Sequence, residues 1–315
     1  MLDLAAASGA QLRQWFAGIS TFLLDCDGVL WRATEPVPGV DATLKSLRAA
    51  GKRVFFVTNN STKSRAEYVR KLKATSGIDA REEEVLSSAY AAALYCRAHG
   101  VTKKVYCVGQ AGLVAELEAV GLQVLGPADF DKPFAFGACN PAELDPDVQA
   151  VVAGFDGRAS YYKLAQAVSY LRYVPGCKFV ATNRDATYPD THQLVPGGGI
   201  IVGALAIGAG REPDVVAGKP SLGLLDIIAG LEGGLDAAAT CMVGDRLDTD
   251  IAFGNAGRLA ASLLVLTGVT ERAAAEALPP GDALRPTHVL DSLGSLAGLL
   301  ERAAAEAAAE DGGGR

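Results

Sequence analysis

The sequence predicts an α/β protein built on a parallel sheet, and three observations carry that expectation. Short apolar runs such as Thr21-Phe22-Leu23-Leu24 have the uninterrupted pattern of strands buried on both faces. Each run gives way to a polar loop and then to an amphipathic stretch, which is the order of a βαβ unit. Asp25, Thr58 and Asp245 each stand at the end of such a run, at the rim where doubly wound sheets bind their ligands. The fold class that follows is a doubly wound, Rossmann-like parallel sheet core with an inserted α/β cap domain.

Taken in order, residues 21 to 24 form the first strand. VDATLKSLRAAGKRVFFVTNNS then reads as an amphipathic helix, a stop at Gly51, a strand from Val54 to Val57 and a polar loop opening at Thr58. KKVYCVG, VQAVVAGF and CKFVATN are strand candidates of a second α/β domain. It is read as a cap, residues 103–212, inserted between core segments 1–102 and 213–315. CKFVATNRDAT echoes RVFFVTNNST, and a single echo is read as shared strand-and-loop chemistry rather than a repeat. VPGGGIIVGALAIGAG has the glycines of a phosphate-binding turn but no strand before it, so it reads as a glycine-opened cap helix. TCMVGDRLDTDIAFGNAG is strand, loop and helix; ASLLVLTG and THVLDS are two further strands. The chain ends in an alanine-rich helix running into a flexible glycine tail.

Half of the 315 residues are apolar, enough to bury a sizeable core. The formal charge of −7 argues against a nucleic-acid partner, which requires a basic face. No apolar run reaches the roughly 18 residues of a membrane span, and no signal sequence is visible, so a soluble protein with no membrane partner is expected. Six cysteines are scattered without a C-x-x-C pair, the usage of buried thiols in a reducing compartment. His99, His192 and His288 are too far apart to form a local ligand motif.

FLLDCDGVLW places Asp25 and Asp27 two residues apart at a strand end. Asp27-Gly28 alone is ordinary turn chemistry. A charge at Asp25 costs energy unless something cationic compensates, and magnesium suits few carboxylates, retained waters and a phosphate. GDRLDTD supplies Asp245, Asp248 and Asp250. Alone this is equally an acidic helix start; brought to Asp25 by folding, it becomes a metal site. Thr58, Asn59 and Asn60 offer hydroxyl, amide and loop N–H donors for phosphate oxygens, or else form a plain turn. Lys219, in VVAGKPS, is either a solvated lysine or a cation for the same anion. This is not a Walker loop, because the first glycine falls on Pro213 and Pro220 replaces the hydroxyl residue. Cys26 and Arg32 match the C-x5-R spacing of cysteine-dependent phosphatases, but two flanking aspartates disfavour a thiolate and the loop interior is bulky.

Asp25-x-Asp27-Gly28-Val29, Thr58, Lys219 and Gly244-Asp245 resemble, in order, the four motifs of the haloacid dehalogenase-like phosphatase superfamily. DCDGVLW, VTNNSTKSR, GFDGRASYYKL, FVATNRDATYP, VVAGKPS and MVGDRLDTDI resemble more narrowly its large-cap branch. That branch contains eukaryotic 2-phosphoglycolate phosphatase, pyridoxal phosphate phosphatase and 4-nitrophenylphosphatases. The resemblance implies that Asp25 is a nucleophile forming an aspartyl-phosphate, and that Asp27 is the general acid for the leaving alcohol and then the base for water. It implies Mg2+ held by the carboxylates of Asp25 and Asp245 and the main-chain carbonyl of Asp27, with Asp250 in support. Thr58 and Lys219 would hold the phosphoryl oxygens, with Gly28, Asn59 and Asn60 beside them. Dehalogenases, whose halide leaves without a proton, lack the acid at the position of Asp27, so phosphatase chemistry is expected.

Phosphomonoester hydrolysis can demand an acceleration approaching ~10²¹, roughly 28 kcal/mol. A general acid–base group supplies only about 10²–10⁴, and the rest must come from positioning and charge stabilisation. The resemblance makes the cap a dimerisation domain, expected to give a homodimer, and substrate selection should fall to it. Arg158, Lys163 and Arg184 are its candidates for a carboxylated substrate; Tyr161 and Tyr188 would suit a pyridoxal ring. The expected activity is Mg2+-dependent hydrolysis of a small phosphorylated metabolite, 2-phosphoglycolate first. The rivals are pyridoxal phosphate or broad aryl phosphatase activity, and a non-catalytic binding protein on the same fold. By analogy alone, photorespiration and the plastid stroma follow from the first substrate; the cytoplasm is the other expected compartment. Cys26, beside the nucleophile, is a candidate for oxidation sensitivity.

Overall fold

The computed structural model describes residues 1–189, 193–231 and 233–312. His192 and the last three residues of the expected glycine tail lie outside them. The chain divides into two compact units, the first of Met1–Val57, Val69–Val85 and Leu225–Arg315, the second of Thr58–Tyr68 and Leu86–Leu224.

The first unit is organised by a sheet of seven strands among the described residues. Their order is Leu2–Asp3, His288–Leu290, Ala261–Val265, Thr240–Gly244, Thr21–Leu24, Arg53–Thr58 and Val85–Ser87. The pairings from Leu2–Asp3 across to Arg53–Thr58 are parallel. The central strands read TFLL, TCMVG and ASLLV and are buried at every residue, which is why they appear in the sequence as unbroken apolar runs. Helix Gly9–Gly18 opens on a Ser8/Gln11 capping box and packs against the C-terminal helix Leu296–Gly312. Helix Val40–Ala49 buries Val40, Leu44 and Leu47, the periodic face predicted for it.

From the middle of this sheet the chain runs outward in two directions. Thr21–Leu24 is followed by Arg53–Thr58 and Val85–Ser87 on one side; Thr240–Gly244 is followed by Ala261–Val265 and His288–Leu290 on the other. Strands Thr21–Leu24 and Thr240–Gly244 therefore flank a topological switch point, the place where doubly wound sheets open a crevice at their carboxyl ends. Asp25 and Asp245 are the first residues beyond those two ends.

Among the described residues the second unit has its own five-stranded parallel sheet, ordered Val215–Val216, Lys178–Ala181, Val148–Ala153, Lys104–Val108 and Gln123–Leu125. Val108, Val151, Phe179, Val202 and Leu205 share its core. The glycine-opened helix is present as Gly198–Ala209. It does follow a strand, Leu194–Pro196, paired antiparallel with Thr187–Pro189; a three-residue ribbon strand with an exposed leucine leaves no apolar run to read.

Candidate active site

Asp25 continues the ladder past its strand, its N–H donating to Val243 O at 2.9 Å. Its side chain is buried, as are those of Asp245 and Asp250. One carboxylate oxygen from each of the three lies within 4.8 Å of the others. Folding thus brings together residues 220 positions apart (245 − 25).

The carboxylates of Asp245 and Asp250 are aimed by backbone N–H groups. Asp245 Oδ2 accepts the Val269 N–H at 2.7 Å. Asp250 Oδ2 accepts the N–H groups of Asp245 and Arg246, both at 3.1 Å. Asp250 can reach back because Leu247–Ile251 forms a π-helical turn, with the Ile251 N–H donating to Arg246 O; such turns recur at functional sites. Gly28 has φ +87°, and a Cβ there would come within 2.5 Å of Asp245 Oδ2, so only glycine fits both the turn and the neighbour. Three buried carboxylates repel one another unless positive charge is supplied, and the donors are all hard oxygens. That set fits Mg2+.

Asp27 differs from Asp25. Its Oδ1 accepts the Trp31 Nε1–H at 2.7 Å and forms an ion pair with Lys71 at 3.7 Å, while Lys71 also lies 3.9 Å from the centroid of the Trp31 ring. Its side chain is about one-third exposed (35%), open to an incoming molecule where Asp25 is enclosed. The third acid of the cluster, Asp248, is exposed and held by Arg246.

Thr58, Asn59, Asn60 and Lys219 belong to the second unit. Thr58 is buried, and its hydroxyl accepts the Asn60 N–H at 3.1 Å. Asn60 Oδ1 closes a turn on Thr62. Lys219 is only 2% exposed, so it is no solvated lysine; Asn59 Oδ1 accepts its N–H at 2.7 Å and Asn59 Nδ2 donates to its carbonyl at 3.0 Å.

The guanidinium of Arg158 lies over the Phe130 ring at 4.0 Å, and exposed Arg184 pairs with Glu212. Lys163 is buried against Asp156, which spends it inside the second unit rather than on a ligand. Tyr188 stands edge-on to Phe155 at 5.1 Å, and Tyr161 edge-on to Phe134 at 4.6 Å. Cys26 is fully buried and Arg32 donates to the Thr267 carbonyl. The described cysteines are free; burial pushes the thiols of Cys96 and Cys107 up to about 12 and that of Cys177 up to about 11.

Sequence reading missed Trp31, Lys71 and Val269. An indole four residues after Asp27 was a readable signal for the first; the others arrive from distant segments, and no local pattern announces them.

Residues 22–123 match the family model of haloacid dehalogenase-like hydrolases, and residues 216–296 a second, HAD-hydrolase-like model. The chain is 46% identical over 261 residues to chloroplastic phosphoglycolate phosphatase 1A of Arabidopsis thaliana, covering 82% of this chain and 71% of that protein. It is 39% identical over 297 residues to the 4-nitrophenylphosphatase of Schizosaccharomyces pombe, covering 92% and 97%. Among solved structures, the glycerol phosphate phosphatase of Mycobacterium tuberculosis in complex with magnesium superposes with a TM-score of 0.74 at 32% identity, covering 90% of this chain and 77% of that one.

A switch-point crevice with buried aspartates on a doubly wound sheet, together with these matches, defines the class: the chain belongs to the haloacid dehalogenase-like hydrolase family. Within that family it is a phosphatase, a phosphomonoester hydrolase, and its cofactor is Mg2+. Among the described residues no helix is long and apolar enough to cross a membrane.

Proposed function

We propose that the protein hydrolyses 2-phosphoglycolate to glycolate and phosphate, with Asp25 as nucleophile and Asp27 as acid and then base. The observation that carries the catalytic assignment is the convergence of buried Asp25, Asp245 and Asp250 within 4.8 Å beyond two adjacent strands. Asp25 and Asp245 would hold Mg2+ by their carboxylates and Asp27 by its main-chain carbonyl, with Asp250 in support. The chemistry the ion would supply there is neutralisation of charge on the phosphoryl group. Asp25 then attacks phosphorus while Asp27, partly open to solvent, protonates the departing oxygen. Water hydrolyses the aspartyl-phosphate after giving its proton to Asp27. Thr58 and Lys219 carry the phosphate-binding assignment, with Gly28 and Asn60 beside them; Asn59 was expected with them on its place in the sequence.

The cap is assigned to residues 103–212, between core segments 1–102 and 213–315. Arg158 and Arg184 are its candidate contacts to a substrate carboxylate. The substrate follows the phosphoglycolate phosphatase relative. The aromatic pair Phe155–Tyr188 favours a second reading, pyridoxal phosphate or an aryl phosphate such as 4-nitrophenyl phosphate. A homodimer through the cap is supported by exposed Ile200 and Ile207 on helix Gly198–Ala209. Free, mostly buried cysteines agree with a reducing compartment, plastid stroma or cytoplasm, and a plastid would set the activity in photorespiration.

Phosphate release from 2-phosphoglycolate, pyridoxal phosphate, glycerol 3-phosphate and 4-nitrophenyl phosphate, each with Mg2+ and with chelator, tests the reading. The highest kcat/KM should fall on 2-phosphoglycolate and vanish with chelator. A clear preference for another ester replaces the substrate, and no release from any ester makes the chain a binding protein on a phosphatase fold.

A further inference from the structure

Asn59 follows Thr58 directly, and its amide would ordinarily be taken for a phosphate donor. Its hydrogen bonds describe another job. The side chain is buried, and both of its polar atoms are spent within the second unit. Oδ1 accepts the Lys219 N–H at 2.7 Å, and Nδ2 donates to the Lys219 carbonyl at 3.0 Å and to Asp185 Oδ1 at 3.0 Å. The orientation of the amide is fixed by its partners, because an N–H requires an acceptor and a carbonyl requires a donor. With both Nδ2 hydrogens committed, the side chain has none left for a phosphate oxygen.

The clamp is itself held. The Asn59 carbonyl accepts from Ser88 Oγ at 2.6 Å and from Asn183 Nδ2 at 2.7 Å, and Thr182 Oγ1 donates to Ser61 Oγ. On the far side, the Gly218 N–H donates to Thr182 O at 2.7 Å. A Cβ on Gly218 would stand 2.6 Å from Asn59 Oδ1 and 2.7 Å from Thr182 O, so the residue before Lys219 must be glycine for the clamp to close. The two loops that echo one another in sequence, TNNS and ATNRD, therefore meet, and the backbone of Lys219 is fastened between them.

We infer that Asn59 is a positioning residue for Lys219, and that Asp185 helps to hold it. This rests on the reading of Lys219 as the cation for the phosphoryl group. Fixing the lysine backbone at both its N–H and its carbonyl removes main-chain freedom at the residue that carries the ammonium, which lowers the entropy cost of holding that group in place. Asp185 lies in the loop after strand Lys178–Ala181, so a change in that loop reaches the lysine without touching substrate.

The experiment is a double-mutant cycle on full-length enzyme with 4-nitrophenyl phosphate and Mg2+, each variant checked for folding by circular dichroism and melting. Asn59→Ala should lower kcat/KM about 10- to 100-fold, the scale of a misplaced catalytic group. In a Lys219→Ala background the same change should cost less than about threefold, since a residue acting through another adds little once that other is gone. Fully multiplicative losses would overturn the inference and return Asn59 to direct phosphate contact. If Lys219→Ala alone leaves kcat/KM intact, the phosphate-site reading of Lys219 fails and takes the inference with it. Should Asn59→Ala not fold, the loop partner decides. Asp185→Ala should lose activity and Asp185→Asn, which keeps an oxygen acceptor, should recover most of it, with the loss again absent in the Lys219→Ala background. Equal loss in both Asp185 variants, persisting in that background, overturns the role.

Discussion

In the first unit three carboxylates, those of Asp25, Asp245 and Asp250, are buried with an oxygen of each within 4.8 Å of the others, whereas in the second Asp156 is buried against the ammonium of Lys163. Both arrangements remove charge from water, and each removal costs several kcal/mol before compensation. The pair compensates itself, one carboxylate against one ammonium of the same unit, and is closed over, with side chains 2% and 3% exposed. The cluster instead gathers three acids, an arrangement a fold tolerates where a divalent ion belongs to the working state. The self-contained pair at Asp156 therefore belongs to architecture, and in the proposed mechanism the three gathered acids belong to chemistry.

Asp25→Asn should separate the two most sharply. Turnover should fall at least about 10⁴-fold, the scale seen when a nucleophile is lost, with Mg2+ and inorganic phosphate still bound in calorimetry. Normal turnover would remove Asp25 from the mechanism. Asp27→Asn should cost about 10²–10⁴ with an alkyl phosphate and clearly less with 4-nitrophenyl phosphate, whose leaving group departs without a proton. Identical losses for the two esters would deny it the role of acid.

Lys163→Met tests the other side of the comparison. It strands Asp156 in the interior and should cost about 3–5 kcal/mol of folding stability while kcat of the folded fraction is unchanged; denaturant titration with parallel kinetics reads both. A large fall in kcat at full stability would mean that the pair serves the chemistry after all. Asp250→Asn should act in the opposite sense, weakening Mg2+ affinity about 10- to 100-fold, as loss of a group that orients a metal ligand does. Unaltered Mg2+ affinity would make Asp250 a backbone brace only.

These contrasts were unevenly legible in the sequence. Asp25 and Asp245 could be read because each ends an apolar run, and a parallel sheet buried on both faces writes such runs plainly. Asp250 was legible as one of three acids, but its priority over Asp248 depends on the π-helical turn that carries it back to the N–H groups of Asp245 and Arg246, and no periodicity encodes that turn. Lys163 had the sequence look of an exposed charge on a helix; its burial is decided by Asp156, seven residues earlier, on a loop whose path only folding sets. Lys71 was invisible for a similar reason. Any lysine of its helix could have faced outward, and the one that meets Asp27 and Trp31 is chosen by packing.

A third way to bury an ionisable group is to leave it uncharged, and His288 does so. It opens an edge-side strand of the first sheet, with its ring 5.7 Å from that of Trp15 and Nδ1 2.8 Å from the Thr287 hydroxyl. Burial lowers its pKa from 6.5 to about 4. Above about pH 6.5 the imidazole is neutral whether the chain is folded or not, and nothing is lost. Between 6.5 and 4 the unfolded chain takes up a proton that the folded chain refuses, so stability falls as pH falls. With the ring only partly enclosed, the loss should be on the order of 1–2 kcal/mol. Carboxylates titrate in the same range, and so the quantity to measure is the stability difference between wild type and His288→Gln at pH 7 and at pH 4.5. The wild type should lose ground relative to the variant on acidification, because the amide has no proton to gain. A difference that stays constant across that range would mean that His288 can accept its proton in place, and would leave the sheet edge with no part in how this molecule handles buried charge.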